Sequence, residues 1–308
     1  MNPAYRLLVG ICGYLVLGPV CGISVEAQQM LRWKFQPGMH YQVSFDQTTL
    51  SKTQADQESI QVRLHMGMTM QWKVTQVDHA GTATMEQAFT RIRLELENPG
   101  VEQVSYDSAS LSKPVGEAAQ IAAALGPVIG KTFRVRMTAR GIVQEVIASP
   151  EMQGALKRIP QESRLKDVFT REGLMQTLRQ SHGDLPARMV QLGDQWEAVE
   201  TVSTPLGDLK TKTRYRYGQD VENAGVAAAQ IQVHGQIELV PMKAEKSSRN
   251  NLRIESQEIT GEILFASIQG HLLRSQVNQQ MVTRSRYRDL QLTSRVTSRL
   301  ETTVRRGK

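Results

Sequence analysis

Ile60-Gln61-Val62-Arg63-Leu64-His65-Met66-Gly67-Met68-Thr69-Met70-Gln71-Trp72-Lys73-Val74 decides the architecture of this chain. Apolar side chains occupy Ile60, Val62, Leu64, Met66, Met68, Met70, Trp72 and Val74 at strict two-residue spacing, with polar residues or Gly67 between them. Successive side chains of a strand point to opposite faces, and a helix could not sort these residues so cleanly. The stretch is a long β-strand with one wall on a core and the other in water. At ~3.3 Å per residue it would span roughly 50 Å, far beyond the usual strand of about 17–20 Å. A bend is therefore expected, and Gly67 is the predicted place for a bulge or kink.

The flanks extend the same pattern. On the N-terminal side, Leu31 to Phe35 reads as a short strand, Gln36-Pro37-Gly38-Met39 as a type II turn, and Met39, Tyr41, Val43 and Phe45 as the apolar face of a second strand. Polar Ser51 to Ser59 reads as a connecting loop. On the C-terminal side, Asp78-His79-Ala80-Gly81 makes a turn into a returning strand, Thr82 to Glu97, which carries Phe89, Ile92, Leu94 and Leu96. Long strands joined this tightly pair antiparallel.

Helical signals interrupt the strands twice. The alanine-rich run within 114–125 favours helix by intrinsic propensity and stops at Gly126-Pro127. Ser149 and Pro150 supply a cap and first turn, and Leu165, Val168, Phe169, Met175 and Leu178 recur at helical spacing until Gly183 and Pro186. Beyond Gly193-Asp194-Gln195-Trp196 the β pattern resumes. Leu209 to Tyr217 places Lys210, Lys212, Arg214 and Arg216 on one face and Thr211, Thr213, Tyr215 and Tyr217 on the other. In the C-terminal strand, Leu290, Leu292, Val296, Leu300 and Val304 share a face, opposite Arg295, Arg299 and Arg305. The hairpin at Gln269-Gly270 echoes that at Arg140-Gly141, which suggests a diverged duplication. The predicted class is β-rich α+β: long antiparallel strands in two related sheets or one curved sheet, with a few helices between or against them. The predicted division is a leader over 1–27, a β-rich half over 28–148, a helical connector over 149–186 and a second β-rich half over 187–308.

Met1 to Arg6 carries one cation, and Leu7 to Ile23 is an apolar run broken by several glycines and Pro19. That reads as a secretory signal, cut between Ala27 and Gln28. The expected destination is the periplasm or the extracellular cell envelope, with no membrane span left after signal removal. Cys12 and Cys21 are the only cysteines and both lie in the leader, so the mature chain has no thiol for a disulfide, a nucleophile or a thiolate metal site. The formal charge is +7, and the stretch from His271 to Lys308 supplies all of it. Such local basicity suits an anionic envelope surface, and export argues against nucleic acid.

Motifs for chemistry are missing. The six histidines, at 40, 65, 79, 182, 234 and 271, show no metal-ligand spacing. No nucleophile elbow, phosphate loop or dinucleotide fingerprint occurs, so no catalytic residue, metal or cofactor is assigned. Two constellations stand out as candidate binding faces. Met66, Met68, Met70 and Trp72 could line an adaptable pocket for a hydrophobic ligand, although such a stripe is more often core. Lys210, Lys212, Arg214 and Arg216, with Arg284, Arg286 and Arg288, could bind anions, although such rows usually form a solvated face. An outer-membrane barrel is disfavoured by an aromatic content of only 5%, too little for two aromatic girdles.

Leu31-Arg32-Trp33-Lys34-Phe35 with Pro37-Gly38, Met70 to Val77 with the Gly81 turn, Arg91-Ile92-Arg93, Tyr106-Asp107-Ser108, and Gly193-Asp194-Gln195-Trp196 with Pro205-Leu206-Gly207 form a recognisable set. On these residues the chain resembles a family of exported proteins, mainly planctomycete, catalogued as domain of unknown function 6263. The resemblance implies export and a β-rich fold, and it brings no reaction, cofactor or catalytic residue. The expectation is an exported envelope protein with a binding or structural role, holding a hydrophobic ligand or partner on a concave sheet face and turning basic strands to an anionic surface. The alternatives are an envelope hydrolase acting on polysaccharide or peptide, whose carboxylates converge only on folding, and a scaffold attached to wall polymers.

Overall fold

The computed structural model describes residues 28–100, 103–159, 168–204, 207–240, 253–287 and 290–307. The expected leader with Cys12, Cys21 and Ala27, and Arg288 of the cationic set, lie outside the described residues. The chain runs β1 (His40–Ala55), β2 (Glu58–Val77), β3 (Ala83–Glu97), β4 (Val104–Asp107), α1 (Gly116–Leu125), β5 (Thr132–Met137), β6 (Val143–Ala148), α2 (Pro150–Arg158) and α3 (Arg171–His182). It continues through β7 (Gln195–Thr204), β8 (Gly207–Asn223), β9 (Val226–Val240), β10 (Arg253–Ala266), β11 (His271–Tyr287) and β12 (Leu290–Arg306).

The twelve strands form one sheet in the order β6-β5-β3-β2-β1-β12-β11-β10-β9-β8-β7, with β4 on the outer part of β3. Of the two expected arrangements, the single sheet is the one observed. Every pairing is antiparallel. The second half is a meander of successive strands, the first half skips from β3 to β5, and the seam between the halves is β1 on β12, from Tyr41 opposite Arg306 to Ala55 opposite Leu292. The sheet is open, with β6 and β7 at its edges.

α3 fills the gap between those edges. The Arg179 guanidinium reaches β7 through Glu200 at 3.3 Å and β6 through the Val143 carbonyl at 3.3 Å. The sheet therefore curls until its edges face each other across a helix, and a side chain joins what strand pairing leaves apart. The segment before β1 seals one end of the curl. Gln29 pairs with Val190, the Trp33 amide donates to the Ala139 carbonyl at 2.8 Å, and the Lys34 amide donates to the Gly270 carbonyl at 2.8 Å. This strap sinks Leu31, Trp33 and Phe35 into the core, where Trp33 stacks on Phe35 and meets Tyr41 and Phe265 edge-on.

Two local expectations are corrected. Ser51 to Ser59 is not a loop: β1 continues to Ala55, β2 starts at Glu58, and Asp56, at φ +50°, turns the chain between them. The residues there are polar on both faces because the inner wall carries hydroxyls, Thr53 bonding Ser294 at 2.9 Å and Thr49 bonding Ser298 at 3.2 Å. Gly67 is not a bulge either. Pairing runs unbroken through Asp46 and Gly67, and the register shift lies further on, between Thr69 and Met70. The missing side chain at Gly67 makes room for the Arg93 guanidinium, which would lie 3.0 Å from a Cβ there. The Ser149 cap is observed, its hydroxyl accepting from the Met152 amide at 3.1 Å. So is the Asp78 turn, where the Gly81 amide donates to the Asp78 carbonyl at 2.9 Å.

Candidate ligand cavity beneath the third helix

α3 begins at Thr170, whose hydroxyl accepts from the Gly173 amide at 3.1 Å. Its apolar stripe, Leu174 and Leu178, enters the core. Gln176, Arg179, Gln180 and Gly183 follow at helical spacing on another side and form the roof of a cavity of about 400 Å³. The remaining walls are inner-face residues of β1 and β8–β12. Leu209, Val233, Ile237, Ile259, Ile263, Val277 and Leu300 supply the aliphatic surface, and Gln47, Thr211, Thr213, Ser275, Gln279 and Ser298 supply polar groups. Gln176 and Gln180 are exposed on the roof, so this side of the cavity opens to solvent.

The helix end is tightly specified. Gly183 has φ +62° and ψ 173°, a region open in practice only to glycine. A Cβ there would lie 2.9 Å from Ile263 Cδ1 and 3.1 Å from Tyr215 Cε1. The next residues are tied down. The Asp184 amide donates to the Tyr215 hydroxyl at 3.4 Å, and the Asp184 carbonyl accepts from Trp196 Nε1 at 2.7 Å. The Leu185 amide donates to the Arg140 carbonyl at 3.0 Å. Trp196 stacks on Tyr215 at 5.6 Å.

Beyond Arg179 and Glu200 lies a smaller hollow of about 300 Å³ that Asp184, Ala198 and Thr201 help to line. Burial pushes the Asp184 carboxyl up, opposed by Arg140 and Arg179 and assisted by Glu200. Burial also lifts the Tyr215 phenol well above its usual range, with Asp184 adding to the effect. Both shifts favour neutral forms beside the cavity. Glu200 is engaged by Arg179, and no group of three or more His, Cys, Asp or Glu that could hold a metal is found among the described residues. The arrangement thus offers an enclosure of mixed aliphatic and polar lining with one ion pair at its border. A larger hollow, about 750 Å³, lies between β4 and α1, with Ser105, Ser108, Ser110, Ser112 and Lys113 in its lining.

The sequence-predicted faces fall elsewhere. Met68, Met70 and Trp72 are buried in the core and Met66 is half-buried against it. Met66 stands opposite Gln47, at the border of the cavity, and none of the four lines it. Gln28 is exposed, one residue before the strap begins. Lys210, Lys212 and Arg214 are exposed on the outer face of β8, and Arg216 shares that face. Two of them share a counter-ion: Glu197 of β7 lies 3.0 Å from Lys212 and 3.1 Å from Arg214, which hold its carboxyl below the usual range. Arg284 pairs with Glu255 at 3.0 Å, and Arg286 is exposed. Sequence reasoning missed Arg179, Glu200, Asp184 and Gly183. Only Gly183 carried a signal, as a helix stop.

Fold and cavity define an open, curled antiparallel sheet plugged by a helix, with a part-aliphatic, part-polar chamber under that helix. The chain belongs to a family of unknown function, DUF6263, whose model matches residues 80–264, from the turn before β3 to the inner part of β10. No curated protein matches the sequence. Among solved structures, one of lipovitellin, described by its lipid–protein interactions, is similar at 15% identity and a TM-score of 0.46, over 88% of this chain. The chain spans only 25% of that lipovitellin chain. DynF of the dynemicin pathway of Micromonospora chersina is similar at 7% identity and TM-score 0.20, over 91% of this chain and 86% of its own. An outer membrane channel of Pseudomonas putida F1 is similar at 8% identity and TM-score 0.24, over 89% and 98%. No helix among the described residues is long and apolar enough to cross a membrane.

Proposed function

We propose that this is an exported cell-envelope protein that holds a hydrophobic ligand between α3 and the inner wall of β8–β12. The cavity carries the reading. Its volume of about 400 Å³ lies within the usual range for small-molecule sites, roughly 300–1,000 Å³. Its aliphatic walls gain by excluding water, and a few polar groups are left to orient a guest. Arg179 and Glu200 stand at one border and the Gln47, Thr49 and Ser298 cluster at another, where Gln47 donates to Ser298 at 3.2 Å. A guest with an apolar body and a small polar end fits this distribution. Export is supported by the leader-like composition of residues 1–27, one cation followed by an apolar run.

The test combines two measurements on the mature protein. Organic extracts of the purified protein are examined by mass spectrometry for a co-purifying amphiphile, and a fluorescent fatty-acid probe is titrated against the protein and two variants. Val277→Trp fills the cavity and abolishes probe binding. Met68→Leu, in the core away from the cavity, leaves it unchanged. An empty extract together with equal probe affinity in Val277→Trp and the parent overturns the reading.

A further inference from the structure

We propose that the end of the sheet formed by the β1–β2 turn, the end of β11 and the start of β12 is a docking surface for an anionic lipid bilayer. The antiparallel register brings together there the end of β1, the starts of β2, β10 and β12, and the ends of β9 and β11.

Two features coincide at this end. The first is a set of cations on the outer face. Lys52 stands directly opposite Arg295, and Arg253 directly opposite Arg284, with Arg286 two residues beyond. Like charges directly opposed across strands are destabilising. Glu255 answers Arg284 at 3.0 Å, and Asp56 and Glu58 sit on the neighbouring hairpin. Among the described residues, none of Lys52, Arg253, Arg286 and Arg295 has an ion-pair partner. An anionic surface would relieve the repulsion that folding leaves in place.

The second feature is a set of bare aliphatic side chains on the same rim. Ile60 is 59% exposed, Leu290 45% and Val240 43%. Ile60 and Leu290 follow the inner-face alternation of their strands and so form the lip of the concave wall. A soluble polyanion would be met by the cations alone. Aliphatic tips flanked by Arg and Lys match instead the boundary of a bilayer, where apolar groups enter the acyl region and the cations meet headgroup phosphates.

Flotation of the mature protein with vesicles tests this. Binding is expected to phosphatidylglycerol–phosphatidylcholine vesicles, falling as salt rises, and to be absent on pure phosphatidylcholine. Each cation near the surface contributes about fivefold in affinity, so the double variant Arg253→Gln, Arg295→Gln should bind about 25-fold more weakly. The double variant Ile60→Ser, Leu290→Ser should also bind more weakly while keeping the parent's salt dependence. Both sets are exposed, and unchanged circular dichroism and unchanged fatty-acid-probe affinity show that fold and cavity are intact. Two results overturn the proposal: no retention on anionic vesicles at low salt, or retention untouched by Ile60→Ser, Leu290→Ser and abolished by soluble polyphosphate. The docking surface shares no residue with the cavity, so either reading can fail alone.

Discussion

Replacing Gly183 by alanine tests the placement of α3 over the cavity. The cost has two sources. The backbone at φ +62° and ψ 173° lies in a region that charges a side chain of order 1–3 kcal/mol. The new methyl would also stand 2.9 Å from Ile263 Cδ1 and 3.1 Å from Tyr215 Cε1. The isoleucine methyl is the end of a flexible side chain and can move. The tyrosine ring cannot, because Trp196 stacks on it and the Asp184 amide donates to its hydroxyl. Overpacking of this kind adds about 1–3 kcal/mol. Gly183→Ala should therefore lower unfolding free energy by roughly 2–6 kcal/mol, read as a lower urea midpoint at unchanged m. It should weaken fatty-acid-probe binding too, since the roof shifts with the helix end. Gly154→Ala is the control: it lies inside α2 with nothing within 4 Å of a new Cβ, and helix propensity predicts a gain of up to about 1 kcal/mol. Equal, small effects from the two substitutions would refute the strained junction and the seat it gives α3.

Gln87, only 1% exposed, buries both polar atoms of its side chain without a hydrogen-bond partner among the described residues. Gln87→Met should stabilise by about 1–3 kcal/mol, and a lower denaturation midpoint would show that a buried water satisfies the amide. Trp33→Ala, removing the centre of the aromatic cluster under the N-terminal strap, should cost about 3–5 kcal/mol in denaturant titration, and a loss below about 1 kcal/mol would mean that the strap is not part of the core. Arg91 clamps Asp107 and holds its carboxyl at about 2, below the unfolded value of 3.8. Because the folded value is depressed, this stabilisation is full above about 4 and is lost as pH falls through about 2. Asp107→Asn should flatten stability against pH across that window, and an unchanged acid limb would count against the clamp.

Strand faces were legible because alternation reports burial directly. β2, β8 and β12 each present the faces their spacing predicts. Alternation reports a face and not a neighbour, so the choice between two sheets and one was beyond it. The deciding contact is β1 on β12, which joins Tyr41 to Arg306 across nearly the whole chain. The strand residues after Leu50 were misread for a related reason: where the inner wall is itself hydroxyl-bearing, both faces are polar and the period-two signal vanishes. Met66, Met68, Met70 and Trp72, the expected apolar face, lie in or against the core and do not line the cavity, because the densest apolar run is the part a fold buries most completely. The cavity walls carry a weaker pattern, Leu209-Thr211-Thr213-Tyr215 and Ser275-Val277-Gln279, in which small hydroxyls alternate with aliphatics on one face. Arg179 had no local signal at all, since its role exists only once the two sheet edges meet.

The cavity arises from side-chain volume more than from backbone shape. Both halves contribute strands to the same sheet and both turn an inner face toward the helices. On β2, β3 and β5 that face carries Met70, Trp72, Met85, Phe89 and Phe133, all at most 1% exposed, and Phe169 packs edge-on against Phe89 at 5.3 Å. On β8, β11 and β12 the corresponding wall holds Thr211, Thr213, Ser275, Val277 and Ser298. Interiors pack at nearly uniform density, so smaller side chains on a shared scaffold leave space unless the backbone closes over them. Closure is opposed here: antiparallel pairing ties β9 to both β8 and β10, and Arg179 props both edges on α3. One half of the sheet is thus filled by aromatics, and the other leaves the space that the proposed ligand would occupy. Enlarging the inner side chains of the second half should therefore raise stability as it removes binding, a trade-off that a purely structural sheet would have no reason to leave unresolved.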